Sequence, residues 1–185
     1  MAESLHLRDA VAALRRGGVI AYPTEAVWGL GCEPTHRAAV ERILSLKKRE
    51  WRKGLILIAS SFEQLEPYVL RPSNSALRRA QASWPGPATW VFPASDFAPD
   101  WITGDQDSIA VRVTAHPLAA ALCKAYGGAV VSTSANRQGQ DPARSATQVR
   151  MMFGQRIDVV LPGALGGLER PTSIRHVTSG LILRR

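Results

Sequence analysis

The chain has few cysteines and no long apolar run. Only two of its 185 residues are cysteines, Cys32 and Cys123, which is too few for a disulfide framework. We therefore predict that both are small buried thiols. No apolar run approaches the roughly 20 residues that a membrane-spanning helix needs. The N-terminal residues mix acidic and basic side chains, unlike a signal peptide. These absences predict a cytoplasmic protein without a membrane partner.

Familiar catalytic motifs are also missing. The sequence contains neither the phosphate loop G-x-x-x-x-G-K-[ST] nor the nucleophile elbow G-x-S-x-G. Its four histidines, His6, His36, His116 and His176, are scattered, so we expect no metal site built by the protein itself. Cations and hydroxyls remain, and these suit binding and neutralising phosphate more than covalent catalysis.

Positive charge is in excess. Twenty-three Lys and Arg residues against fifteen Asp and Glu residues leave a formal charge of +8, which favours polyanionic partners such as nucleotides or RNA. The basic residues are dispersed, and no RGG, RNP or zinc-knuckle pattern accompanies them. A solvated basic surface with one functional pocket and an RNA-binding platform both fit this pattern.

Stretches typical of helices alternate with stretches typical of strands, which predicts an α/β fold. Leu7, Val11 and Leu14 recur at helical spacing, and Thr35 is expected to cap the second helix. Residues 93–107 lack periodicity and are expected to form a mobile loop. The other predicted helices are 62–69, 75–84, 117–126 and 145–153, and the predicted strands are 19–22, 55–59, 88–92, 108–113, 129–132 and 157–161, with short strands around Ile174 and 181–183.

The stretch AYPTEAVWGLG, residues 21–31, places polar side chains between a proline and two glycines at the end of a predicted strand. Pro23 has no N–H for a strand ladder, and glycine permits close approach to a ligand. Thr24 and Glu25 between them fit either a site built from loop atoms or an ordinary strand-to-helix connection. We expect Trp28 to pack under this loop, and direct stacking on a ligand is the alternative.

Lys47, Lys48 and Arg49 close a predicted helix. In the extended exit from a helix, residues two apart project to the same side. Lys47 and Arg49 there could grip a chain of phosphates, lysine as a point charge and arginine as a planar fork. The alternative is a basic helix end stabilised by the helix dipole.

Two later segments add a cation and several hydroxyls. Arg112 alternates with Val111 and Val113 on a predicted strand, so it faces away from them, and we expect it to face a cleft. The segment 132–136, STSAN, follows an apolar strand, and ligands of α/β sheets lie beyond the carboxyl ends of strands. A solvated or salt-bridged strand arginine and a turn capped by Asn136 are the alternatives.

The motifs PTE-x-x-x-GLG, K-x-R, AVRV-x-x-HP and STSAN occur in this order, with PTSI at 171–174. Together they resemble the YrdC-like family of threonylcarbamoyl-AMP synthases, in its short single-domain form, from about Gly17 to Arg184. The resemblance implies a single domain over residues 1–185. Its fold would be α/β, a twisted open mixed sheet with helices packed on it and a cationic cleft.

The resemblance also implies an activity. It is the ATP-dependent synthesis of L-threonylcarbamoyl-AMP from L-threonine and bicarbonate or CO₂, with release of pyrophosphate. The product would serve the t6A modification of adenosine 37 in tRNAs reading ANN codons, completed by other proteins of t6A synthesis. Mg²⁺ is expected to bind through the ATP phosphates.

Site residues follow from the same resemblance. Lys47 and Arg49 would be catalytic. Threonine would be bound by Thr24, Arg112 and Thr172, and ATP by Lys47, Arg49, Lys53, Ser108, Ser132, Ser134, Asn136 and Arg184.

The chain departs from the family pattern at several positions. Glu50 stands where proline usually follows the arginine, and Ile58 where longer members have a threonine-contacting histidine. Lys53 stands where longer members have an asparagine, and Thr172 stands where most members have a serine. Trp28 stands where relatives often have a tyrosine.

Two other functions fit parts of the sequence. One is a non-enzymatic module that uses a basic cleft to bind double-stranded RNA or tRNA. The other is carbamoyl-adenylate chemistry on a different acceptor, as in hydrogenase maturation proteins with a related domain.

Overall fold

The computed structural model describes residues 2–170 and 172–184. Within these ranges the chain forms six α-helices and nine β-strands, together with four short 3₁₀ turns. Pro171, part of the PTSI motif, lies outside the described residues. The helices are α1 Ala2–Arg15, α2 Arg37–Lys47, α3 Asn74–Gln81, α4 Asp100–Thr103, α5 Pro117–Tyr126 and α6 Ala146–Phe153. The strands are β1 Ile20–Pro23, β2 Trp28–Gly31, β3 Ile56–Ala59, β4 Ala88–Pro93, β5 Ser108–Val113, β6 Val130–Ser134, β7 Val159–Val160, β8 Ser173–His176 and β9 Ile182–Arg184.

All nine strands join one sheet in the order β7-β1-β2-β6-β3-β5-β4-β8-β9. The pairs β1–β7, β3–β5 and β4–β8 are parallel, and the remaining pairs are antiparallel. This mixed sheet with helices packed against it confirms the predicted fold class. No helix in the described part of the chain is long and apolar enough to cross a bilayer.

Helices cover both faces of the sheet. Against one face, α1 and α5 bury Leu14 and Leu122 over Ile20 and Tyr22. Helices α2, α3 and α6 pack on the other face around side chains such as Trp28. Each large apolar side chain removed from water in this way contributes about 1.5–3 kcal/mol before entropy is counted. Both cysteines are buried and unpaired, as predicted.

Strand β2 was not predicted. Residues 28–31 fold back on β1 as a hairpin, with Ile20 opposite Gly31 and Pro23 opposite Trp28. Glycine has low strand propensity, so sequence reasoning assigned this stretch to a loop. Glycine is needed at position 31 because a Cβ there would lie 2.7 Å from Tyr22 Cε1. The Tyr22 hydroxyl donates a hydrogen bond to the Val131 carbonyl at 3.2 Å.

Other element boundaries also differ from the predictions. Helix α2 is capped by His36, whose Nδ1 accepts from the Ala39 N–H, whereas the Thr35 hydroxyl donates to Glu33. The predicted helix 62–69 is two 3₁₀ turns, because Pro67 has no N–H for a continuous helix. The predicted helix 75–84 spans Asn74–Gln81, and strand 157–161 shortens to Val159–Val160.

The predicted mobile loop 93–107 contains the short helix α4. Its Ile102 is fully buried, and the Ile102 carbonyl accepts a hydrogen bond of 2.8 Å from the Leu55 N–H. A helix of four residues within a mainly polar stretch gives no periodic apolar signal, which is why the helix was missed.

The hairpin makes a testable prediction for two glycines. An alanine Cβ at Gly31 would lie 2.6 Å from the Val131 carbonyl oxygen, whereas at Gly29 its nearest contact is 3.4 Å. Backbone atoms of a central strand cannot move aside easily, so we expect Gly31→Ala to lower the free energy of unfolding by about 1–3 kcal/mol. Gly29→Ala, the matched control, should cost less than about 1 kcal/mol. Urea unfolding measures both, and equal stability of the two variants would contradict this account.

Candidate active site

The pairing register gathers small and polar side chains on one face of the sheet. Gly29 lies opposite Ser134, Ile56 lies opposite both Ser132 and Ala110, and Ile58 lies opposite Arg112. Paired residues share a face, and alternate residues of a strand return to it. The cleft therefore lies over the sheet face beside α1 and α5. It was predicted beyond the carboxyl ends of the strands. The difference arises because Ser132 and Ser134 belong to strand β6 itself.

The first cavity on this face has a volume of about 160 Å³. It is lined by the three residues predicted to bind threonine and by four of those predicted to bind ATP. These are Thr24, Arg112 and Thr172, and Arg49, Ser132, Ser134 and Arg184.

A second cavity of about 350 Å³ adjoins the first, and Arg49 and Arg184 line both. Ser108 and Lys53, two more of the predicted ATP residues, line the second cavity. The Lys53 ammonium is half exposed and lies 3.9 Å from the Glu50 carboxylate. We call these two neighbouring cavities together the cleft, and the predicted threonine residues line only the first of them.

Arg112 is buried and lines the first cavity, in the direction that its alternation with two valines predicted. Its Nη1 donates to the Thr172 hydroxyl at 3.0 Å, and that hydroxyl also lies 3.2 Å from the Thr89 hydroxyl. Its Nη2 lies 3.3 Å from Glu25 Oε2. Among the described residues, nothing accepts a hydrogen bond from the buried Arg112 Nε. Within the described part of the chain, Arg112 has one side-chain hydrogen bond, from Nη1, so Nη2 keeps N–H groups for a ligand of the cavity that Arg112 lines.

Lys47, the last residue of α2, points into the protein. It is only 4 % exposed, and its ammonium donates to the Ser134 carbonyl and to the carbonyl and side-chain oxygens of Asn136. The Ser134 hydroxyl also donates to Asn136 Oδ1, at 2.6 Å. Burial, and after it the charge of Arg49, lower the pKa of Lys47 to about 8. Neither cavity, as the described residues outline it, includes Lys47 in its lining.

Arg49 follows Lys48, which has the left-handed backbone angle φ 51°. Its Nη2 donates to the Gly54 carbonyl at 3.0 Å, while its Nε is buried without a partner among the described residues. Burial lowers the pKa of Arg49, and the charge of Arg184 adds to this effect. The pKa of Arg184 is lowered by burial and by the charge of Arg112. Three mutually repelling guanidinium groups around one cleft favour an anionic ligand.

Sequence reasoning assigned no role to Glu25 or Thr114. Glu25 is buried, and its Oε1 accepts a 2.7 Å hydrogen bond from the Thr114 hydroxyl. Glu25 was visible in the PTE motif, but its partner lies 89 residues away in the chain. The glycine-rich stretch after β7 also binds this loop, because Gly166 N–H donates to the Thr24 carbonyl and Leu168 N–H to the Glu25 carbonyl.

Comparison with known proteins agrees with this geometry. The family model for Sua5, YciO and YrdC, described as "Telomere recombination", matches residues 12–185. The chain belongs to the Sua5/YciO/YrdC family. This confirms the family resemblance derived from the motifs.

Relatives of this family member are similar over nearly its whole length. It is 60 % identical over 179 residues to the threonylcarbamoyl-AMP synthase of Halorhodospira halophila, covering 97 % of this chain and 94 % of that one. The structure of P. abyssi Sua5 complexed with L-threonine superposes with a TM-score of 0.89 at 34 % identity, covering 95 % of this chain. This chain spans about half of that protein, 52 % of its length. E. coli YciO superposes with a TM-score of 0.86 at 26 % identity, covering 99 % of this chain and 89 % of YciO.

Because the Lys47 ammonium is buried and hydrogen-bonded, we expect the protein to lose stability when this group is removed. Lys47→Met keeps the length of the side chain but removes a donor from three oxygens. The Ser134 carbonyl and Asn136 Oδ1 each keep another donor, whereas the Asn136 carbonyl loses the donor that Lys47 supplies. We expect the free energy of unfolding to fall by about 1–3 kcal/mol. Lys124→Met, at an exposed position of α5, is the control and should change it by less than about 0.5 kcal/mol. Chemical denaturation measures both, and an unchanged midpoint for Lys47→Met would show that these contacts add nothing.

Proposed function

We propose that the chain is a threonylcarbamoyl-AMP synthase, which converts L-threonine, bicarbonate or CO₂, and ATP into L-threonylcarbamoyl-AMP and pyrophosphate. The observation that carries the proposal is the buried Arg112 at the end of a cleft whose walls carry Arg49 and Arg184. One arginine suits a carboxylate, and the others suit phosphates. The full-length relative named threonylcarbamoyl-AMP synthase, at 60 % identity, supports the same function.

The amino acid would occupy the first cavity. Arg112 has N–H groups left for the carboxylate, and bidentate pairing with a carboxylate is the geometry that a guanidinium favours. The Thr24 hydroxyl donates to the Val27 carbonyl at 2.7 Å, so toward a ligand it can only accept. It therefore suits the amino group of threonine. Thr172, already bonded to Arg112, completes this end of the cleft.

The nucleotide would lie along the rest of the cleft. Arg49 and Arg184 would contact its phosphates, with hydroxyls of Ser132 and Ser134 beside them. Lys53 and Ser108 line the continuation of the cleft. Lys47 and Asn136 would act mainly by holding the segment that carries Ser134, so that Lys47 contributes its charge from behind this segment.

The chemistry needs charge neutralisation more than a protein base. The threonine nitrogen adds to the carbon of CO₂ and loses a proton, which gives a carbamate. A carbamate oxygen then attacks the α-phosphorus, and the bond from that phosphorus to the bridging oxygen breaks, so that pyrophosphate leaves. Both reactants are anions, so the arginines assist by holding them together and reducing their repulsion.

Mg²⁺ would enter with the ATP phosphates. Within the described residues no group of three or more His, Cys, Asp or Glu side chains could hold a metal ion, and the cleft offers cations and hydroxyls. These residues fit a nucleotide that carries its own ion. Bicarbonate as the carbon source, membership of the nucleotidyltransferases, a cytoplasmic location and transfer of the product to other proteins of t6A synthesis are further parts of this proposal.

The non-enzymatic RNA-binding alternative is not favoured. A duplex is bound through exposed cations on its phosphates, whereas Arg112 is 6 % exposed and held by hydroxyl and carboxylate partners in a small cavity. Binding of tRNA by the exposed basic residues is compatible with the enzyme and is not required by it.

The proposed function predicts that pyrophosphate release requires threonine and bicarbonate together. The purified chain is incubated with ATP and Mg²⁺, with each of the other substrates omitted in turn. Pyrophosphate is then measured, and the adenylate is identified by mass with labelled threonine. Equal ATP turnover without threonine, or no labelled adenylate in the complete mixture, would contradict the synthase assignment.

The division of the cleft predicts a selective effect of Arg112→Lys. Lysine keeps the positive charge but lacks the planar set of N–H groups with which a guanidinium can bind Thr172 and a carboxylate at the same time. Losing one charge-assisted bond costs about 1.5–3 kcal/mol, so KM for threonine should rise about tenfold or more. ATP affinity measured without threonine should be nearly unchanged, and Arg150→Lys, exposed on α6, should alter neither. If ATP binding collapses while KM for threonine stays the same, Arg112 belongs to the nucleotide.

A further inference from the structure

Glu25 is a buried carboxylate beside the proposed carboxylate-binding arginine. The Glu25 and Arg112 side chains are each 8 % exposed, and Glu25 Oε2 lies 3.3 Å from Arg112 Nη2. The first cavity, as outlined by the described residues, is lined by Thr24 and Ala26 but not by Glu25. Glu25 thus contacts Arg112 from the protein side and leaves the cavity side to a ligand.

Protein atoms contact both terminal nitrogens of the Arg112 guanidinium. Nη1 donates a hydrogen bond to the Thr172 hydroxyl, and Nη2 forms an ion pair at 3.3 Å with Glu25 Oε2, an oxygen that accepts no hydrogen bond from the described residues. Two contacts on different nitrogens fix the plane of the group as well as its position. Such outer partners determine how well a ligand-binding side chain is oriented.

Thr114 in turn fixes the Glu25 carboxylate. The Thr114 oxygen accepts the His116 N–H at 3.1 Å, so its own hydrogen is free to bond to Glu25 Oε1, at 2.7 Å. Thr114 follows β5 directly, and its N–H donates to the Ala59 carbonyl. The hydroxyl is therefore attached to the same rigid part of the sheet as Arg112.

We propose that Glu25, held by Thr114, is a positioning residue that orients Arg112 and thereby sets the threonine requirement of the enzyme. This inference rests on the proposed function, because it takes Arg112 to bind the threonine carboxylate. Glu25 acts through Arg112 and makes no contact with either substrate.

A role of Glu25 in orienting Arg112 and a role in balancing its charge predict opposite changes in KM for threonine. If Glu25 only cancelled the charge of Arg112, Glu25→Gln would strengthen the attraction for a carboxylate and lower KM for threonine. If Glu25 orients the fork, its loss raises KM for threonine, because an amide nitrogen facing Nη2 offers a second donor and no acceptor. The sign of the change therefore separates the two roles.

The test compares steady-state kinetics of the full chain and its variants. We expect Glu25→Gln and Thr114→Val to raise KM for threonine about fivefold or more, with KM for ATP within twofold of the wild type. Thr114→Ser keeps the hydroxyl and should restore most of the wild-type KM. Glu41→Gln, which removes an exposed carboxylate paired with Arg37 on α2, is the control and should leave both KM values unchanged.

The outcomes distinguish this inference from the function on which it rests. If the wild-type chain makes no threonylcarbamoyl-AMP, the proposed function fails. If the wild type is active and Glu25→Gln leaves or lowers KM for threonine, the positioning role is wrong. If Glu25→Gln does not fold, the Thr114→Val and Thr114→Ser pair decides, and equal KM values for these two variants and the wild type overturn the proposal. A parallel rise of KM for ATP would indicate general damage to the cleft and would also overturn it.

Discussion

The pairing register of the sheet is the constraint on which the cleft depends. Side chains alternate between the two faces of every strand, so a shift by one residue would exchange Arg112 with a buried valine. The register brings Gly29, Ser134, Ser132 and Arg112 to one face, although they come from three strands that are distant in the chain. Helices α1 and α5 cover part of this face. The uncovered part, floored by small and polar side chains, is the cleft.

Buried cations are the second organising feature. A charge taken out of water must be paired or bonded, and each case here is satisfied differently. Arg112 has a carboxylate and a hydroxyl, whereas Lys47 has three oxygens from Ser134, the last residue of β6, and from Asn136. Arg49 has one carbonyl and a buried nitrogen with no partner in the described part of the chain. Of these three cations, Arg49 has the fewest partners, and it lines both cavities, where the proposal places phosphate.

Sequence patterns predicted the structural features that depend on a single segment of the chain. The alternation around Arg112 predicted the direction of its side chain, and the order of the motifs predicted the family. The spacing of Leu7, Val11 and Leu14 predicted a helix that the structure places at Ala2–Arg15. Hairpin strand β2 was missed because Gly31 accommodates the Tyr22 ring, a contact that no local pattern records. Glu25 was singled out without a role because its partners come from strand β5 and the residue after it.

The sequence by itself determined the fold class, the family and the residue types available for chemistry, since these depend on periodicity and on motifs within single segments. Only the tertiary structure decided which of those residues meet. It divided the cations into Arg112 at one end of the cleft, Arg49 and Arg184 along its walls, and Lys47 behind the Ser134 segment. The physical reason is that strand register and burial, which set these distances, arise from contacts between segments far apart in the chain. The same contacts decide how each buried charge is compensated.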